Sequence, residues 1–196
     1  LGILIAIFVF GTTLSTIPAA KSPTTPEIFV TNPANPANPA AKDGNFKFST
    51  TTTSAGFKFN ATVWTSGYGT PPVFAWQVRI NVNASLLNIT RAWNAVGDPA
   101  YLFTGHPSIN PKPAFTTGSV LVGDTSLDTS VTPGPNPAKL ATVEFKILAA
   151  PPEGGKVSCN LNISNSDTTL LDDTLTDITP ITKTSGIYEY SAPVII

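Results

Sequence analysis

The sequence predicts an all-β fold, two antiparallel sheets packed face to face as a β-sandwich, and three observations predict it. Short runs in which apolar and polar side chains alternate recur along most of the chain, the pattern of strands with one buried face. Glycine- and proline-bearing turns separate these runs at intervals of about ten residues, as in an antiparallel sandwich. Beyond the apolar N-terminal run, no window places apolar side chains at helical spacing between capping residues. A chain of 196 residues can enclose one sizeable core, so one domain with tails is expected.

Residues 1–10 form an unbroken apolar run. It is too short for a membrane span of ~20 residues, but it suits the hydrophobic part of a secretory signal, with Ala19 and Ala20 as small residues for cleavage. Residues 1–20 are therefore read as a signal peptide or, if retained, as a hydrophobic segment that docks onto a neighbouring copy. Residues 21–44 hold Pro23, Pro26 and the triplets Asn32-Pro33-Ala34, Asn35-Pro36-Ala37 and Asn38-Pro39-Ala40. Proline at every third position fixes φ and removes donors, which favours an extended linker. Within it, Glu27, Ile28, Phe29 and Val30 read as a first edge strand.

The sandwich itself is expected over residues 45–191, with 192–196 as a tail open to continuation. Phe46 and Phe48 begin one strand. Phe57, Phe59, Ala61 and Val63 give the next an aromatic inner face, with Lys58, Asn60, Thr62 and Trp64 on the other side. The clearest alternation follows: Phe74, Trp76, Val78, Ile80 and Val82 against Ala75, Gln77, Arg79 and Asn81, ended by the turn formers Asn83, Ala84 and Ser85. After a short strand over 88–93 comes a long loop, 94–113, with Tyr101, Leu102 and Phe103 as an apolar plug. Loops of this length in compact domains are commonly functional. Strands are expected over 118–123, over 140–148 with Ala141, Val143, Phe145 and Ile147 inward, and around Cys159. Further β material is expected at 169–171 and 175–181, and a last strand at 187–190.

Composition excludes several function classes. Charged residues make up 12% of the chain, about half the ~25% of soluble domains, and Thr, Ser, Asn and Pro fill the surface as in exported proteins. The net charge is −1 and the 11 Lys and Arg residues are scattered, so there is no basic footprint for nucleic acid. The lone Cys159 cannot form an internal disulfide and reads as a buried, inert thiol. The lone His106 has no second histidine or cysteine with which to build a zinc site or a nucleophile pair. No Gly-x-Ser-x-Gly elbow is present, and no pair of acids stands out for glycoside hydrolysis. No enzyme is expected.

Three groups remain as candidate sites. Asp172 and Asp173, with Asp167 and Asp177 nearby, offer oxygens for Ca²⁺ but lack the spacing of a calcium loop, and a solvated turn is the favoured reading. Trp64, Tyr68 and Trp93 are placed to form an aromatic platform for a surface glycan, in competition with simple packing at strand ends, whereas Trp76 reads as core. Asn60, Asn83, Asn88 and Asn162 each begin an Asn-x-Ser/Thr sequon and are glycosylation candidates, Asn60 and Asn162 on the polar faces of their strands.

Three stretches resemble a known family. Phe74-Ala75-Trp76-Gln77-Val78-Arg79-Ile80, followed by Asn83-Ala84-Ser85-Leu86-Leu87, resembles the cohesin strand that ends in an Asp-Pro-Ser-Leu-Leu-like turn, with Asn83-Ala84 where Asp-Pro is common. Leu140-Ala141-Thr142-Val143-Glu144-Phe145-Lys146 is similar to the family's Leu-Ala-x-Ile-x-Phe strand, although Pro137-Ala138-Lys139 precedes it where glycines are usual. The stretch 170–190, with Gly186-Ile187-Tyr188, is similar to the closing segment. The resemblance implies a nine-strand jelly-roll of the cohesin and carbohydrate-binding-module superfamily. It also implies non-covalent binding of a dockerin-like module or another surface protein, with no cofactor. The matching positions are core positions, so no binding residue is carried over. The expected function is a non-catalytic, extracellular or cell-surface interaction or adhesion module. A filament subunit that self-assembles by N-terminal strand donation and a carbohydrate-binding module are the alternatives.

Overall fold

The alternating runs become strands, each with one face turned inward. The computed structural model describes residues 24–35, 41–67, 71–134 and 136–194. In chain order the strands are β1 (Glu27–Thr31), β2 (Asn45–Ser49), β3 (Lys58–Ser66), β4 (Ala75–Asn81), β5 (Leu87–Asn94), β6 (Ala114–Thr116), β7 (Ser119–Thr125), β8 (Ala138–Ile147), β9 (Lys156–Ile163), β10 (Thr169–Leu171), β11 (Thr182–Thr184) and β12 (Gly186–Ser191). One sheet has the order β11-β1-β3-β8-β5; the other runs β2-β12-β9-β4-β7-β6, with β10 added to β4. No helix among the described residues is long and apolar enough to cross a membrane. The expected all-β, two-sheet sandwich is the architecture observed.

Two parallel pairings, β1 with β11 and β2 with β12, interrupt an otherwise antiparallel plan. They arise because the chain changes sheets twice in step, between β1 and β2 and again between β11 and β12. Gly44 marks the crossing. A Cβ there would lie 2.8 Å from the Val30 carbonyl oxygen and 3.1 Å from the Gly186 Cα, so only glycine lets the two crossings touch.

This geometry corrects the expected linker. Residues 27–31 form a strand held between β11 and β3, not a free edge, and Ile28 and Phe29 are 0% exposed. The sandwich therefore begins before residue 45. In the chain the Asn-Pro-Ala triplets fall between β1 and β2, so they do not precede the domain. The ends of that stretch are tied by Asn32 N–H to the Asp43 carbonyl at 2.7 Å and by Asn32 Nδ2 to the Asn45 carbonyl at 2.8 Å. Residues 36–40, the expected signal segment 1–20 and the end of the expected tail, 195–196, lie outside the described residues.

The core forms where the two inner faces meet. Val63, Val143, Phe145 and Leu87 come from the first sheet; Phe46, Trp76, Val78, Ile80, Val122, Leu161 and Tyr188 come from the second. β4 keeps the alternation its sequence predicts, except that Phe74 stays half-buried outside the strand. Phe57 departs further. It precedes β3 and is 45% exposed, because the inner face begins only at Phe59. In β5 the inward positions are Leu87, Ile89 and then Ala92; a register shift between Ile89 and Arg91 absorbs the odd spacing as a bulge. The expected strand at 175–181 is also corrected: it contributes only a bridge at Asp177, and strand structure resumes at Thr182.

Candidate functional site

β7 carries Val120, Val122 and Asp124 at successive inward positions, so a carboxylate occupies a core position. Asp124 is 2% exposed. A buried carboxylate is tolerated only when its lone pairs are filled, and here four donors fill them. Oδ2 accepts from the Tyr101 hydroxyl and from Ser108 Oγ at 2.7 Å. Oδ1 accepts from the Asn110 and Thr125 N–H groups, each at 2.7 Å. Three of the four donors belong to the 94–113 loop, so Asp124 is the pin that holds this loop to the sandwich.

The rest of the loop is fastened as firmly. Tyr101, Leu102 and Phe103 are buried, as the apolar plug requires. Leu102 N–H donates to the Lys139 carbonyl at 3.0 Å, and Lys139 N–H to the Ala100 carbonyl at 2.7 Å, which splices the loop onto the start of β8. Asn94 Nδ2 reaches the Gly123 carbonyl at 2.9 Å. Burial first, and the hydrogen bond to Asp124 second, hold the Tyr101 hydroxyl protonated well above the usual tyrosine range. A shallow cavity of about 330 Å³ between Val96, Tyr101 and Ser108 opens beside it.

What this platform presents is apolar. Ser108 bridges Ser126 in antiparallel register, and both side chains lie on the Asp124 side. By alternation, Ile109 and Leu127 point away from the core, and they are 58% and 60% exposed. Val96, at the cavity rim, is 54% exposed. His106 Nδ1 lies 3.2 Å from each Asp128 carboxylate oxygen on the same rim.

The sequence-derived candidates fall elsewhere. Trp64 and Trp93 share the outer face of the five-stranded sheet: Trp93 is opposite Thr142, Thr142 is opposite Thr62, and Trp64 lies two residues beyond Thr62 on β3, opposite Lys139. Trp64 Nε1 donates to Thr31 Oγ1 at 2.9 Å, and the Arg91 guanidinium lies 4.9 Å from the Trp93 ring centroid, so each indole is engaged within the domain. Tyr68 lies outside the described residues. Trp76 is core, 2% exposed, as read from its strand. Asp172, Asp177 and Asp167, three of the acids considered for Ca²⁺, serve local structure. Asp172 Oδ1 accepts from Thr174 and Thr176 N–H at 2.9 Å each, Asp177 accepts from the Thr169 hydroxyl, and Asp167 pairs with Arg79 at 3.4 Å. No group of three potential metal ligands occurs among the described residues. The thiol of Cys159 is half-buried, and burial pushes its pKa up. The side chains of Asn60, Asn83, Asn88 and Asn162 are all exposed.

No protein-family model matches the chain, and no curated protein matches it either. Solved structures do. A non-cellulosomal cohesin from the archaeon Archaeoglobus fulgidus is 9% identical, over 85% of this chain and 91% of its own, with a TM-score of 0.56. The cohesin of a type I cohesin–dockerin complex from Clostridium thermocellum is 9% identical over 88% and 98%, with a TM-score of 0.58. A cohesin module from a Clostridium perfringens family 33 glycoside hydrolase is 10% identical over 88% and 99%, with a TM-score of 0.53. The fold is cohesin-like.

Within this cohesin-like fold, the three stretches that carry the sequence resemblance are β4 with its turn, β8, and the segment from β10 to β12. All three contribute buried side chains to the core. The residue that builds the loop platform, Asp124, was missed, although one signal for it was present: it continues the inward phase of Val120 and Val122.

Several carboxylates of the cohesin-like domain are held below the usual range. Asp98 is lowered by the Ala100 N–H and by Lys139, 2.9 Å away. Glu144 is lowered by Lys58 and the Thr90 hydroxyl. A carboxylate whose folded pKa is depressed stabilises the fold above its unfolded value of about 4 and loses that contribution as pH falls through the lower folded value. The melting temperature is therefore expected to stay level from pH 7 to about 5 and to fall progressively below about 4. Calorimetry across that range checks it, and a melting temperature that rises on acidification would contradict these assignments.

Proposed function

We propose that the protein is a non-catalytic protein-interaction module that works outside the cell or at its surface. The observation that carries this reading is the 94–113 platform: a long loop fixed in one conformation by a buried carboxylate and an apolar plug, presenting Val96 and Ile109 to solvent, with the exposed Leu127 just after β7 bonded to it through the Pro107 carbonyl. A loop ordered before binding spares the association the cost of ordering it, and exposed aliphatic side chains on such a platform suit a protein partner. The cohesin of the Clostridium thermocellum complex binds a dockerin, which supports a protein partner for this chain too. The low charge content and the signal-like N-terminal run support export.

The test is affinity capture from native cell-surface extract with the tagged full chain, identification of the bound protein, and direct titration of that protein. The double variant Ile109→Asp, Leu127→Asp is expected to weaken binding by about 100-fold, the loss of two central apolar anchors. Its melting temperature should be unchanged, because both side chains are exposed. Equal affinity in the variant would remove the loop end from the interface.

A further inference from the structure

Asn83 opens the turn between β4 and β5, and its side chain is set differently from those of the other three sequons. Its Oδ1 accepts the Ser85 N–H at 3.0 Å and the Ser85 hydroxyl at 2.7 Å. Its backbone carbonyl accepts the N–H groups of Leu86 and Leu87, both at 3.0 Å. Asn83, Ala84 and Ser85 are all exposed. The turn is also anchored: Val82 N–H donates to the Gly118 carbonyl at 2.8 Å, and a Cβ at Gly118 would strike the Val82 carbonyl oxygen at 2.9 Å.

In the other three sequons the asparagine is exposed but the hydroxyl two residues on is buried or held by a carboxylate, whereas Ser85 is exposed and its hydroxyl turns to Asn83 itself. Thr62 is 4% exposed within β3. Thr90 Oγ1 donates to Glu144 Oε1 at 2.5 Å. Ser164 is 7% exposed and donates to Asp167 Oδ2 at 3.0 Å. These asparagines also sit inside paired strands: Asn60 opposite Glu144, Asn88 opposite Lys146, and Asn162 opposite Asn81. An enzyme that reads both the amide and the hydroxyl must bend the acceptor chain, and a paired strand bends only after it opens.

We propose that Asn83 is the N-glycan acceptor of the folded domain. The donor is a lipid-phosphate-linked oligosaccharide. Asn83 Nδ2 attacks the anomeric carbon; the C–N bond forms as the bond from that carbon to the phosphate oxygen breaks. The lipid phosphate leaves with the bonding electron pair, and Nδ2 gives up one proton to a base of the transferase. The two donors on Oδ1 stabilise the charge that builds on the carboxamide as that proton leaves. β5 separates this turn from the 94–113 platform by about 23 Å of strand, so a glycan at Asn83 stands clear of the proposed partner surface.

The test is transfer in vitro, onto the folded full chain and onto unstructured peptides spanning each sequon, with occupancy read by glycopeptide mass spectrometry. In the folded chain, Asn83 is expected to be modified at least about tenfold more than Asn60, Asn88 or Asn162, because those three require local opening. The peptides should show no such preference, and Ser85→Ala in the folded chain should abolish the Asn83 product. A folded chain left unmodified at Asn83, or modified equally at any of the other three, overturns the proposal. Neither outcome depends on whether the loop platform binds a protein.

Discussion

Replacing Asp124 with alanine is expected to cost about 3 to 5 kcal/mol of unfolding free energy, because the variant strands several buried donors at once. The Tyr101 and Ser108 hydroxyls and the Asn110 and Thr125 N–H groups all lose their acceptor. A hydrogen bond to a charged group contributes about 1.5 to 3 kcal/mol, but the donors can relax toward water once the loop lifts, so the sum is not reached. The loss should be local before it is global. Hydrogen exchange at Ile109 and Asn110 should accelerate far more than exchange in β3 or β8. Asp124→Asn provides the finer reading. Its one oxygen can still accept from the two backbone N–H groups, while its amide turns a donor toward the hydroxyls, which can rotate. It should lose about 1 to 2 kcal/mol and keep most of the loop's protection. Partner affinity should follow loop protection and not global stability. If Asp124→Ala leaves exchange in the loop unchanged, Asp124 is not the pin.

How much of this was legible depends on whether the signal is periodic. β4 and β8 alternate cleanly, and their faces fall where period 2 puts them, as do those of β5 once its bulge is allowed for. β1 was legible as a strand but not as an interior one. Its neighbour β11 is three residues of Thr and Lys with no apolar pattern, and a pairing across more than 150 residues leaves no local trace. The triplet region reads as a stalk because proline composition reports stiffness and not location. Of the site, the plug Tyr101 to Phe103 was visible as three consecutive large apolar residues within the long loop. Asp124 follows the strand expected over 118–123, and its role depends on Ser108 and Asn110, which only the fold brings to it. The sequons were fully visible, but which hydroxyls are buried is a property of the sheets.

Phe145→Ala is expected to cost about 3 to 5 kcal/mol, the range for removing a buried phenyl ring from a core that cannot collapse. Phe145 is 0% exposed in β8, which pairs with β3 on one side and β5 on the other. Its ring lies 5.3 Å from that of Phe59, its cross-strand neighbour. Phe59 in turn meets Phe46 at 5.3 Å, Phe48 at 4.9 Å and Tyr188 at 5.9 Å, all from the opposite sheet. Deleting Phe145 therefore removes the support of the ring that couples the two layers, beyond the transfer energy of one side chain. Phe145→Leu keeps most of the volume and should cost about 1 to 1.5 kcal/mol. Urea unfolding with an unchanged denaturant slope checks both values; a loss below about 1.5 kcal/mol for the alanine variant would mean that the layers are held elsewhere. The comparison with Asp124 separates scaffold from site. Phe145→Ala lowers global stability while its folded fraction keeps the loop pinned and partner affinity intact, whereas Asp124→Ala frees the loop in molecules whose sheets are still closed.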